Sequence, residues 1–315
     1  MEIDWDTDAG VLLRREALAM GYDDHTIYRN LRTGVWTRIR MGAYIDSRVW
    51  ESQDDVGRHR LTARAVLKSA HPEAVLTHVS AVVERGVAVW GVDLSEVHLT
   101  RRDGKPGRRE AGVVHHRGEL EGDEVETVNS LCVSSAARSA FELTTMTSVE
   151  SALVSVNWLL REKTVTRSEL ESLVDRFRHW PGSLRSDLAV RLADARCGWP
   201  GEARTSHLLW RHHVPAAEPQ YEVLDAQGHL LGIVDFAWPE LGVFLEFDGA
   251  IKYERLRQPG ESLEDVIRRE KRREEQICAS TGWVCIRITW EDLARPAATA
   301  RRIKSLLDSR RPIAG

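Results

Sequence analysis

The chain has 315 residues, about twice the length of a common single domain, so several compact units are expected rather than one. Hydrophobic residues at 42%, charged residues at 29% and a mean hydropathy of -0.35 exclude a membrane-dominated or wholly disordered protein. A formal net charge of -4 and a pI near 6.3 give no global attraction for nucleic acid, so any such contact must rest on local basic patches.

The N-terminal stretch MEIDWDTDAG is acidic without an apolar run, and the greasiest later stretch is broken by Glu84 and Arg85, so neither a signal peptide nor a membrane span is expected. Cys132, Cys197, Cys278 and Cys285 form no CxxC pair, which fits a reducing cytoplasm better than a disulfide framework or a zinc finger. The eleven tryptophans follow no fixed period and read as core and joint fillers.

In residues 1–50, Val11, Leu12, Ala17 and Leu18 predict a helical stripe broken at Gly21, and Asp23 or Asp24 caps a second helix that stops at Gly34. The alternating VWTRIRMGAYI that follows contains a glycine, as a short strand pair would. Helix, turn, helix and hairpin together predict a winged helix-turn-helix. Its second helix would present His25, Tyr28, Arg29 and Arg32 to nucleic acid, and its wing Arg38 and Arg40. A solvated basic face on a helical interaction module is the alternative for the same residues.

Residues 51–195 read as a mixed α/β middle domain: a helix over DVGRHRLTARAVLKSA, another through THVSAVVERG, a strand at VHLTR, then helices around SSAARSAFELTT and SALVSVNWLLRE. No catalytic constellation stands out. RRDGKPGRR is a basic loop that suits either a nucleic-acid-facing tip or a solvated linker. His115 and His116 are neighbours in an expected strand, so they point to opposite faces and read as structural rather than as joint ligands of one metal.

Residues 196–315 carry the chemistry. GEARTSHLLWRHH predicts a helix with Glu202 in its first turn, and three strands follow in QYEVL, HLLGIVDFAW and VFLEFDG. A helix capped by Ser262 and closed by Gly282, a strand at WVCIRIT and a last helix near Pro296 complete an αβββαβα order. A hairpin closing around Glu240 and Leu241 sets Asp235 opposite Glu246 on one face, roughly 5 Å apart. Facing carboxylates repel, and a divalent cation removes the conflict, so the pair predicts a Mg²⁺ site for phosphodiester cleavage, with Mn²⁺ as a substitute. Asp248 shares that face. The competing assignments are a turn signal for Asp248-Gly249, a strand end for Asp235 and an arginine partner for Glu246. On the following helix, Leu263, Val266, Ile267 and Ile277 form an apolar stripe that Glu270 and Glu274 interrupt. One reading points Lys271 or Glu270 into the site, with Arg268, Arg269, Arg272 and Arg273 facing phosphate or forming an outer surface; the alternative, favoured for most of these charges, is a solvated helix of Glu and Lys/Arg pairs at helical spacing.

These C-terminal residues, from Glu202 through VDFAW and FLEFDG to GWVCIRITWEDL, resemble the PD-(D/E)XK nuclease superfamily, in particular the branch similar to the very short patch repair endonucleases. The resemblance implies a restriction-endonuclease-like αβββαβ domain whose metal ligands match Glu202, Asp235 and Glu246. The lysine which that family carries two residues after the second acid is Asp248 here, so the lysine's role falls to Lys271 or to Lys252. The N-terminal segment, through Arg38, Gly42 and Tyr44, looks like the winged helix of AbiEi-type antitoxins of type IV toxin-antitoxin systems, and the middle region is similar to the rest of such antitoxins.

The expected protein is an α+β multidomain, cytoplasmic, DNA-binding and Mg²⁺-dependent endonuclease with domains 1–50, 51–195 and 196–315. Catalysis would rest on Asp235, Glu246, Lys271 and Lys252, metal binding on Glu202, Asp235, Glu246 and Asp248, and DNA contact on the N-terminal set with Arg268 and Arg272. Duplex DNA is the expected substrate, RNA is open to the same attack, and a homodimer would supply a second site for double-strand cutting. Phage defence and DNA repair follow from resemblance alone. The rival expectation is a non-catalytic, antitoxin-like transcriptional regulator with a degenerate nuclease fold.

Overall fold

The computed structural model describes residues 10–249 and 262–311. The fold is α+β, built in two compact units: residues through 155 with 163–191, and 156–162 with those from 192 onward. Among the described residues no helix is long and apolar enough to cross a membrane.

The first unit opens with β1 (Leu12–Leu13) and α1 (Arg14–Ala19), so the apolar stripe expected to be helical starts as a strand. The reason is two-sided burial. Leu12 packs with Trp36 and Tyr44 while Leu13 packs with Val11, Ile45 and Leu61, and only an extended backbone sends adjacent side chains to opposite faces. Then come α2 (Asp24–Arg32), whose Asp23 cap accepts from the Thr26 N–H at 2.7 Å, β2 (Trp36–Arg40) and β3 (Ala43–Asp46). The three strands form a sheet in the order β1-β3-β2.

After α3 (Ser47–Glu51), α4 (Asp55–Ser69) is buried on two sides. Leu61 and Ala65 join the core of the small sheet, and Ala63 and Val66 join that of a larger one. The larger sheet comprises β4 (Ala74–Leu76), β5 (Val97–Arg101), β6 (Arg108–Glu110), β7 (Val113–His116), β8 (Val125–Val128) and β9 (Leu131–Ser134), in the order β6-β7-β5-β4-β9-β8. Helix α5 (His78–Glu84) lies between β4 and β5 in the chain, and α6 (Ala136–Met146), α7 (Val149–Arg161), α8 (Arg167–Arg176) and α9 (Ser183–Leu192) follow the last strand. Arg108 and Arg109 of the basic stretch stand in the exposed edge strand β6.

The second unit runs α10 (Pro200–Arg211), β10 (Glu218–Leu224), β11 (Leu230–Trp238), β12 (Val243–Asp248), α11 (Leu263–Thr281), β13 (Val284–Thr289), α12 (Trp290–Ala294) and α13 (Pro296–Ser309). Its sheet is ordered β10-β11-β12-β13, antiparallel except for the β12–β13 pair. Leu208, Phe236, Leu245, Ile288 and Ile303 build one core under α10 and α13; Val234, Phe244 and Ile277 build another under α11. At about 2–3 kcal/mol per fully buried large apolar side chain, these two layers fix the sheet between its helices.

Candidate active site

The hairpin closes in the expected register: Phe236 faces Leu245, Ala237 faces Phe244 and Trp238 faces Val243. One step further along the same ladder, Asp235 stands across from Glu246. Both are buried, at 6% and 5% exposure. Each carboxylate is held. Asp235 Oδ2 accepts from the Phe247 N–H at 2.7 Å, and Glu246 Oε1 accepts from Arg273 Nη2 at 2.8 Å.

Arg273 comes from α11 and is the arginine partner weighed for Glu246; it was expected to face phosphate or an outer surface and instead turns onto the acid. Its Nη2 also lies 3.0 Å from Glu270 Oε2, and its Nη1 donates to the Ile233 carbonyl at 2.5 Å. It crosses β11 over Gly232, where an added Cβ would come within 3.1 Å of Arg273 Cδ. Lys271, by contrast, is exposed. Two residues are about 200° around a helix, so Lys271 and Arg273 cannot face the same acids. The helix cation that reaches Glu246 is therefore Arg273 and not Lys271, while Glu270 does turn inward, to Arg273. The spacing Val266, Glu270, Arg273, Ile277 carried this signal: it is one helical face whose ends are fully buried. Lys252 lies outside the described residues.

Glu202, in the first turn of α10, is 9% exposed. Its Oε2 accepts from the Trp199 N–H at 3.2 Å and its Oε1 from Gln220 Nε2 at 3.4 Å. Gln220 falls between Pro219, which faces Phe236, and Tyr221, which faces Val234, so the β10–β11 register sets it opposite Asp235. Its φ of +53° is unusual for a non-glycine residue in a strand. Sequence gave no sign of it. The close approach of α10 depends on Gly201, where a Cβ would meet the Phe247 ring at 2.2 Å.

Asp248 stands slightly apart: Arg287 Nη1 donates to its Oδ2 at 2.9 Å, and the same guanidinium pairs with Glu274. Among the described residues no three His, Cys, Asp or Glu side chains are arranged to hold a metal ion. The donor chemistry nonetheless suits Mg²⁺, since Glu202, Asp235 and Glu246 offer only hard carboxylate oxygens; at Glu246 a cation would compete with Arg273.

Of the residues expected to meet nucleic acid, His25, Tyr28, Arg29, Arg32 and Arg38 are exposed and Arg40 is half-buried. Met41, at the tip of the β2–β3 hairpin, is 94% exposed. Arg268 and Arg272 are exposed on α11, Arg268 lying 3.8 Å from Asp265.

No known protein-family profile matches the chain. It is 27% identical over 241 residues to an uncharacterized protein of Mycobacterium tuberculosis, found alike in strains CDC 1551 / Oshkosh and ATCC 25618 / H37Rv, covering 74% of this chain and 83% of the relative.

Proposed function

We propose that the protein is a cytoplasmic, DNA-binding, Mg²⁺-dependent endonuclease, with a restriction-endonuclease-like fold in its second unit and a winged helix at the start of its first. The observation that carries the reading is the buried acid pair: Asp235 and Glu246 occupy facing positions on adjacent strands, at a cost in desolvation and repulsion that a purely structural sheet has no need to bear. Glu202, linked through Gln220 to the position opposite Asp235, supports a third ligand.

In this reading Asp235, Glu246 and Glu202 hold the cation, which supplies Lewis acidity and charge neutralisation at the scissile phosphate. The Phe247 N–H fixes the Asp235 carboxylate, and Gln220 orients Glu202. Arg273 exchanges its contact with Glu246 for a phosphate oxygen and stabilises the negative charge that develops there. The exposed Arg29, Arg32 and Arg38 hold duplex phosphates. The cytoplasmic setting is supported by four free cysteines.

A second reading is favoured by one contact. Arg273 already neutralises Glu246, so a regulator that binds DNA through the winged helix, with Arg273 as a permanent substitute for metal, would show the same pair. Mn²⁺ titration followed by electron paramagnetic resonance separates the two. The endonuclease reading expects Mn²⁺ bound by the full chain and lost in Asp235→Asn; equal binding by both proteins, or none by either, would overturn it.

A further inference from the structure

A cleft of about 840 Å³ opens in the first unit, bordered by α5, β5, β7, α6 and the chain after α8. That is within the size range of small-molecule sites. On its wall lies Arg138, 1% exposed. Two edges of its guanidinium are taken: Nε donates to Glu142 Oε1 at 2.8 Å and Nη1 to Glu124 Oε1 at 2.9 Å. The third nitrogen, Nη2, is buried with no hydrogen-bond partner among the described residues. The ring centroids of Phe177 and Trp180 lie 4.4 and 5.0 Å from the guanidinium carbon. A rigidly held N–H without an acceptor is costly, and native structures seldom keep one without a use.

The other lining groups agree with an anionic visitor. Arg117 lies exposed at the cleft and forms no ion pair among the described residues. Glu142 is already committed to Arg138 and to the His78 N–H, at 3.2 Å, while Glu119 is exposed to screening water. His78 and His116 stack at 3.6 Å between centroids, and His116 Nε2 is 2.8 Å from His98 Nδ1. His78 has a φ of +53°, a left-handed backbone of the kind that collects at functional sites.

We propose that this cleft binds a phosphate-bearing ligand, its phosphate accepting from Arg138 Nη2 and Arg117. The site belongs to the first unit and owes nothing to the acid pair of the second. Phosphate chemistry is shared by free phosphate and by a nucleotide, and the test separates them.

The experiment is isothermal titration calorimetry on the full chain with inorganic phosphate, deoxyadenosine 5′-monophosphate and deoxyadenosine, each against wild type, Arg117→Ala and Arg138→Gln. Binding of a phosphate-bearing ligand is expected, with deoxyadenosine much weaker. Arg117→Ala should weaken it about tenfold, the scale of one charge-assisted hydrogen bond, and Arg138→Gln should abolish it. Because Arg138 is buried and its variant could unfold, the exposed Arg117 carries the decision. Tighter binding of the nucleotide than of phosphate would identify a nucleotide site, and equal binding a free-phosphate site. No heat with either phosphate compound, equal affinity for deoxyadenosine, or an unchanged affinity in Arg117→Ala would overturn the proposal.

Discussion

Arg273 Nη2 donates to Glu246 Oε1 at 2.8 Å, bringing a helix cation onto one of two facing, buried strand carboxylates. Both partners are largely shielded, so loss of the cation leaves Glu246 and Glu270 close together without their shared countercharge. Arg273→Gln should therefore lower the stability of the second unit by about 3 kcal/mol, read as a shifted urea midpoint. It should also tighten Mn²⁺ binding, because Arg273 competes for Glu246, while slowing cleavage. Weaker Mn²⁺ binding in this variant would contradict the assignment of Arg273 as the competing cation.

Gly201 admits the Phe247 ring where any Cβ would clash at 2.2 Å. Gly201→Ala is expected to cost about 1–3 kcal/mol by overpacking and to push Glu202 away from Gln220. Urea denaturation gives the first effect and loss of cleavage the second. Wild-type values for both would remove Glu202 from the site.

Burial first, with Arg138 beside it, pushes His78 down to about 3, and burial with His78 and His116 beside it does the same to His98. The unfolded chain protonates these rings near pH 6.5 and the folded chain does not, so their contribution is present above that pH and is lost as pH falls from about 6.5 toward 3. Each adds a slope of about 1.4 kcal/mol per pH unit in that window. Glu142, raised chiefly by burial, runs the opposite way, so the informative quantity is the difference between wild type and His98→Gln. The variant should lose stability less steeply between pH 6.5 and 5 in urea melts. Parallel slopes would mean that His98 is protonated in the folded state.

Arg29 and Arg32 are exposed on α2. Replacing both with alanine should weaken duplex binding and reduce the salt dependence of the association constant by roughly two in slope, one per lost phosphate contact. Mn²⁺ binding should not change. An unaltered slope would relocate the DNA surface.

Much of this was legible in the residues, for local reasons. The turn at Glu240 and Leu241 fixes the register that faces Asp235 with Glu246, and Ser262 and Gly282 bound α11 as their capping chemistry requires. What escaped is long-range. Leu12 and Leu13 look like the start of a helix until β3 arrives to pair with them. Gln220 acquires its place only when β10 pairs with β11 and α10 brings in Glu202. Arg273 was one of four arginines in a row of charges, and its selection depends on which helical face meets the sheet, with Gly232 leaving room beneath it. His116 read correctly as a strand residue facing away from His115, but its partners His78 and His98 come from segments far apart in the chain.

The most direct measurement of an active metal site is cleavage of supercoiled plasmid in Mg²⁺ or Mn²⁺ by wild type and Asp235→Asn, with duplex binding measured in parallel. The predicted result is nicked or linear product from wild type and none from Asp235→Asn, which still binds the duplex. Undiminished cleavage by Asp235→Asn, or intact plasmid with wild type despite tight duplex binding, would contradict it.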